Sequence, residues 1–404
     1  MVNDAPGQCA ADGDEGVRLS FHLVASDADI SSRSDDSGHD EVDSELRIPE
    51  DALDVSDLDI YVFARSQASA GQESLIARYS RGAAGTVIYQ ESPGVYTVTF
   101  GIARSILDEI SADAASDNIS FRILVVANTA GAGNLTLSAD TPYTYSQILN
   151  LLNDKTVDIS SLYTSDDTDS DDAADVFRAD AKIPMWGTTG FNVSLSALKY
   201  TQSEMAISIG EIYLLRAVAK VRVIDSITGR NADGFPYVAS AAIVSSRALA
   251  LILPAGAESY VNGSQVHSAN IMDADTPLLS DDAFTYRLGK IPAAMAFDAD
   301  LHPDATVRIG YIPEQKIDYA DGNIEAGLPA FRIRMALSRN ADGSISYRNF
   351  LVPMKAYRGI AFDFGSEILR NHIYTLSVNS ITPEVLTVKA RITPWIEQRH
   401  HINL

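Results

Sequence analysis

Residues 17–24, VRLSFHLV, alternate strictly, with Val17, Leu19, Phe21 and Leu23 on one face and Arg18, Ser20 and His22 on the other. A period of two is the mark of a strand with one buried face. The pattern then stops. Residues 26–46 are polar and acidic, without periodicity, and their single arginine is Arg33. Strand patterns resume with LDIYVF at 58–63 and recur at 96–100, 121–128, 206–225, 331–337, 372–378 and 386–392, all rich in β-branched and aromatic residues. Helical spacing is clear only at 146–155, where Ile148, Leu149, Leu151 and Leu152 share a face, and weaker at 103–110. Many strands, few short helices and frequent Gly, Asn, Asp and Pro turns predict a mainly β protein built of β-sandwiches.

The run AISIGEIYLLRAVAKVRVID at 206–225 reads as one long strand and puts a domain junction near 210–230. Lys220 and Arg222 sit two apart in it, the spacing of a face turned to water while the other is buried. The acidic run at 165–180 reads as an exposed loop, and NADGFP at 231–236 as a turn.

A chain of 404 residues has room for two domains or more, and 46% hydrophobic with 21% charged residues is a globular composition. The net charge of −23, from 54 acidic and 31 basic residues with no basic run, argues against a nucleic-acid partner. Cys9, the single cysteine, cannot support an intramolecular disulfide or a multi-cysteine zinc site. No stretch approaches the roughly 18 apolar residues of a membrane helix, and residues 1–15 lack the apolar region of a secretory signal.

Candidate chemistry is sparse. Asp167, Asp169 and Asp171 match positions 1, 3 and 5 of a calcium loop, but Asp172 and Arg178 stand where Gly and Glu are required. His22, His39, His267, His302 and His372 are scattered, and His400 and His401 would face opposite ways on a strand. No nucleophile elbow or phosphate loop is present, and the DFG triplet at 363–365 stands alone. The expectation is a non-enzymatic protein with no metal and no cofactor.

The segment IPMWGTTGF at 183–191, followed by IYLLRAVAKVRVI at 212–224, resembles the fimbrillins, the pilin family of type V pili in Bacteroidales. LDIYVF (58–63), ILVVANT (123–129), ILRNHIYTLSVNSI (368–381) and LTVKARITPW (386–395) extend the resemblance, in order, over about 17–395. It implies two transthyretin-like β-sandwich domains in tandem. The expected organisation is a leading segment at 1–46 with a cleavable tether, a domain at 47–218 that includes the strand at 17–24, and a domain at 219–404.

The resemblance further implies a cell-surface, outer-membrane lipoprotein acylated on Cys9, touching the membrane only through that lipid. Its partners would be other fimbrillin subunits, with a host or bacterial surface ligand unnamed. The first strand (Val17, Leu19, Phe21, Leu23) would be removed by a trypsin-like cut after Arg33, with Arg47 as second choice. A donor strand would refill its place, and the candidate is the tail 395–404 with Ile396, Ile402 and Leu404, a sparse alternation. A subunit without a good donor would serve as tip adhesin or anchor. The alternative from another class is a carbohydrate-binding or carbohydrate-processing surface protein. It needs an aromatic platform, for which only Trp186 and Trp395 are present.

Overall fold

The structure, a computed structural model, describes residues 16–25, 50, 52–65, 73–79, 86–92, 94–112, 118–138, 141–164, 176–200, 206–254, 257, 284–292, 306–316, 329–354, 367–382 and 385–395. Cys9, Arg33, Arg47, Ile396, Ile402, Leu404, His400, His401 and the aspartates at 167–172 lie outside these.

The first half of the chain forms β1 (Val17–Val24), β2 (Leu58–Arg65), β3 (Glu73–Tyr79), β4 (Val87–Ser92), β5 (Val95–Ile102), β6 (Asn118–Ala127), β7 (Thr156–Asp158), β8 (Met185–Ser194), β9 (Ala206–Tyr213) and β10 (Leu215–Arg216). They make one sheet of order β4-β5-β1-β9 and another of order β10-β8-β6-β2-β3. The two face each other across one buried cluster, to which Leu19, Phe21, Val98 and Phe100 contribute from the first sheet and Ile60, Val62, Ile123 and Val125 from the second.

β2 and β6 read as continuous apolar runs because both of their faces are covered. The alternate residues Tyr61, Phe63, Leu124 and Val126 pack under the helix α2 (Tyr145–Asn153). That helix starts at a capping box, Thr144 with Gln147, and buries Ile148, Leu149 and Leu152. Leu151, expected on the same face, points to solvent. A shorter helix, α1 (Arg104–Ala112), adds Leu107 and Ile110 to the sandwich core, and α3 (Leu195–Tyr200) follows β8.

The second half holds β11 (Val218–Asp225), β12 (Tyr237–Ser246), β13 (Leu249–Leu251), β14 (Phe284–Arg287), β15 (Gly289–Pro292), β16 (Thr306–Pro313), β17 (Gln315–Lys316), β18 (Ala330–Arg339), β19 (Ile345–Pro353), β20 (Glu367–Ile368), β21 (His372–Ile381) and β22 (Leu386–Pro394). Sheets of order β15-β16-β11-β21-β22 and β14-β12-β18-β19 form a second sandwich, with Val221, Val223 and Ile309 meeting Val238, Ile243 and Ile333. The molecule is therefore mainly β, as expected.

Two expectations fail at 206–225. The run is not one strand but three, β9, β10 and β11, in three different sheets. Leu214 and Ala217 interrupt it because their N–H groups leave the ladders to bind the carbonyls of Val24 and Pro184, at 2.9 and 2.8 Å. Nor do Lys220 and Arg222 face water. All eight residues of β11, a central strand, are buried. Lys220 Nζ lies 2.7 Å from a Glu50 carboxylate oxygen, and Arg222 Nε donates to Thr375 Oγ1 at 3.3 Å. The alternation hid two buried faces, one of them carrying Lys220 in an ion pair and Arg222 on a hydroxyl. At the end of the acidic run, Val176 and Phe177 are also buried instead of exposed, Phe177 against Tyr163 and Tyr311.

Candidate functional site

The first strand is the element whose position is least expected from chain order. β1 runs antiparallel to β5 over eight paired residues, from Val17 opposite Ile102 to Val24 opposite Val95. Its other edge runs parallel to β9, from Arg18 beside Ala206 to Val24 beside Tyr213, with an irregularity between Ser20 and His22. β1 thus fills the middle of a sheet, between β5, which is distant in sequence, and the still more distant β9.

Its inward residues are fully enclosed. Val17, Leu19, Phe21 and Leu23 are at most 3% exposed. Phe21 meets the edge of the Phe100 ring, centroids 5.9 Å apart, and Tyr79 packs on Phe100 at 4.9 Å. The outward residues are polar, and His22 Nδ1 lies 3.2 Å from Thr97 Oγ1 and 3.5 Å from Glu91. Burying an aliphatic or phenyl side chain contributes about 1.5–3 kcal/mol, so the four together contribute roughly 6–12 kcal/mol at most. That matches the whole net stability of a typical domain, about 5–15 kcal/mol. Emptying this slot without refilling it would leave the sandwich marginal, with two raw strand edges and an open apolar trough.

The C-terminal end of β1 runs into a second, charged cluster. Val24 accepts from Leu214 N–H at 2.9 Å, and Ala25 N–H donates to Gly94 at 2.8 Å. The Ala25 carbonyl accepts from Arg216 Nη2 at 2.7 Å, and Arg216 Nε donates to the Glu50 carbonyl at 3.0 Å. Arg216 is wholly buried, and its guanidinium lies 4.4 Å from the Trp395 ring centre. Trp395 stacks on Tyr311, centroids 5.8 Å apart and planes within 10°, and the Tyr311 hydroxyl donates to the Glu50 carboxylate. The ends of β1 and β22, the residue that resumes the described chain at 50 and the consecutive strands β10 and β11 therefore meet at one point.

The sequence motifs resolve into structural parts. Gly187 is required because a Cβ there would come 2.5 Å from the Tyr213 carbonyl, and Met185 of the same motif pairs with Arg216. Asn128 has φ 58°, and its side chain accepts from Asp54 N–H at 2.7 Å while donating to the Ala52 and Ile183 carbonyls, each at 2.8 Å. Arg370 forms a fully buried pair with Glu314 and donates to the carbonyls of Leu251, Ile252 and Leu253. Reading the motifs in one dimension did not reveal Glu50 or the role of Arg216, because their partners are 166 and 191 residues away.

Neither tryptophan can serve as a sugar platform, since Trp186 and Trp395 are buried. The buried carboxylates Glu50, Asp59, Asp225 and Glu314 each have a cation within 2.9 Å, namely Lys220, Arg78, Arg230 and Arg370. Burial nevertheless pushes the Asp59 carboxyl above its ordinary value, against the pull of Arg78. Among the described residues no group of three His, Cys, Asp or Glu side chains is placed to hold a metal ion. Nor, among them, is any helix long and apolar enough to cross a membrane.

No protein-family model and no curated protein matches the sequence. Solved structures of similar shape include the tip fimbrial protein Mfa3 from Porphyromonas gingivalis with C-terminal truncation, 14% identical, covering 94% of this chain and 100% of that one, with a TM-score of 0.45. A fimbrilin from the same organism is 14% identical over 95% of this chain and 99% of its own, with a TM-score of 0.40. A fimbrial assembly protein from Parabacteroides distasonis is 12% identical over 94% and 96%, with a TM-score of 0.40.

Proposed function

We propose that the chain is a non-enzymatic structural subunit of a bacterial surface fimbria, assembled by removing β1 and filling its place with a strand from a neighbouring subunit. The observation that carries this reading is the placement of β1, which forms the middle of a sheet and buries four apolar side chains. A slot with two free strand edges and an apolar floor is a template for strand addition, in which main-chain bonds supply affinity and alternate side chains supply fit. The motifs shared with the fimbrillins give the slot its biological setting. In this reading Cys9 carries the lipid, Arg33 or Arg47 is the cut, and the tail 395–404 is the donor. The two sandwiches act as tandem domains that change over near residue 218. A cell-surface site and adhesion to a surface ligand follow from the same reading.

Limited trypsin digestion of the purified chain, followed by intact mass and gel analysis, tests it. Cleavage after Arg33 with loss of 1–33, and growth of a ladder that survives mild denaturant, is the expected result. A clean cut without a ladder would move the role to tip or anchor. No preferred cut between residues 26 and 49 would make β1 a permanent strand and remove the assembly step.

A further inference from the structure

Arg216 has an unusual pair of backbone partners. It donates to the carbonyl of Ala25 at 2.7 Å and to that of Glu50 at 3.0 Å, the two residues that bracket segment 26–49. Only the first belongs to the strand the slot holds. The Glu50 carbonyl and the Trp395 ring, 4.4 Å from the guanidinium, belong to the surrounding frame and fix the cation from behind. A buried guanidinium held in this way keeps an Nη2 donor in place for the carbonyl at the C-terminal end of the slot.

The opposite end of the slot is bounded too. A Cβ on the residue at position 16 would stand 2.8 Å from the Ile102 carbonyl oxygen, so that place takes glycine. Between these limits, the inward positions are the four occupied by Val17, Leu19, Phe21 and Leu23.

We propose that Arg216 is an end anchor of the slot, holding strands that extend far enough to present a main-chain carbonyl two residues beyond the last of four alternating apolar side chains. The proposal rests on the slot being refillable, as argued above, and deepens it by defining the partner. The strand taken up begins at a glycine, carries apolar groups at alternate positions with an aromatic-sized one third, and runs antiparallel to β5. A slip of one residue would turn its polar face inward. A slip of two would keep the apolar face inward and bring another main-chain carbonyl to Arg216, but would set a side chain against Ile102. The tail meets this pattern poorly. With Leu404 in the Leu23 place and Ile402 in that of Phe21, His400 and Gln398 fall in the places of Leu19 and Val17.

The test uses the full chain nicked by trypsin, with the protease then inhibited, and two fluorescein-labelled peptides. One is residues 16–25 as the amide. The other is residues 16–24 as the ethylamide, which keeps the N–H facing Gly94 and the Cβ of Ala25 but lacks its carbonyl. A hydrogen bond to a charged group makes the first bind roughly tenfold tighter or more. In the Arg216→Met chain, nicked alike, that difference disappears. Equal affinity of the two peptides for the wild-type chain would overturn the anchor while leaving the slot reading intact. Entry of neither peptide would overturn both. The comparison on the wild-type chain stands even if the Arg216→Met chain does not fold.

Discussion

Phe21 is the largest of the side chains β1 buries, and it contacts Phe100 edge-on. Phe21→Ala is expected to lower stability by about 3–5 kcal/mol, measured by urea unfolding of the uncut chain. A loss below about 1 kcal/mol would mean that the slot collapses around smaller residues and does not discriminate among strands. Tyr163 gives a pH-dependent counterpart. Burial holds its phenol well above the ordinary value of 10.0, and its hydroxyl donates to the Tyr311 carbonyl at 2.7 Å and accepts from the Tyr311 N–H at 2.6 Å. Above about pH 10 the unfolded chain releases this proton while the folded chain keeps it. The folded state then binds more protons, so stability falls as pH rises, by up to about 1.4 kcal/mol per pH unit for this one group. Tyr163→Phe should make that decline shallower between pH 10 and 11.5, while costing about 1–3 kcal/mol at pH 7 through the lost hydrogen bonds. An unchanged alkaline slope would show that Tyr163 ionises in the folded state.

At the scale of elements, β1 is held by one antiparallel and one parallel neighbour, and strand release must break both ladders. Ser20 and Thr99 are directly paired across β1 and β5 on the outward face. A chain with Ser20→Cys and Thr99→Cys, made in a Cys9→Ser background, should still be nicked by trypsin yet form no ladder until reductant is added. A ladder under oxidising conditions would show that β1 need not leave. The same scale explains what could be read from pattern alone. β1, β5 and α2 were legible because each has one buried and one wet face, so hydropathy repeats at the period of the backbone. β11 was misread because its second face is buried as well, where Lys220 pairs with Glu50 and Arg222 binds Thr375, cations that look like a solvent face in sequence.

For the whole molecule, the two sandwiches share more than a linker. Tyr163 and Phe177 of the first half pack on Tyr311 of the second, β7 pairs with β13, and Arg216 lies on Trp395. The buried cluster that includes Leu19 also includes Val221 and Ile333. The two halves are therefore expected to unfold together. Trp186 reports the first half and Trp395 the second, so chains with Trp395→Phe and Trp186→Phe should show coincident urea midpoints by fluorescence, after allowance for each substitution's own effect by circular dichroism. Midpoints separated beyond that allowance would make the halves independent units.

Hydropathy period and turn residues were enough to determine a mainly β chain with β1 as its first half-buried strand, because those signals are local and repeat within a few residues. Which strands become neighbours was decided only in three dimensions. The insertion of β1 between β5 and β9, the break of 206–225 into three sheets, and the meeting of Ala25, Glu50, Arg216 and Trp395 all depend on pairings across many tens of residues. Such pairings arise from shape, burial and hydrogen-bond satisfaction summed over the whole fold, and a linear pattern records none of these.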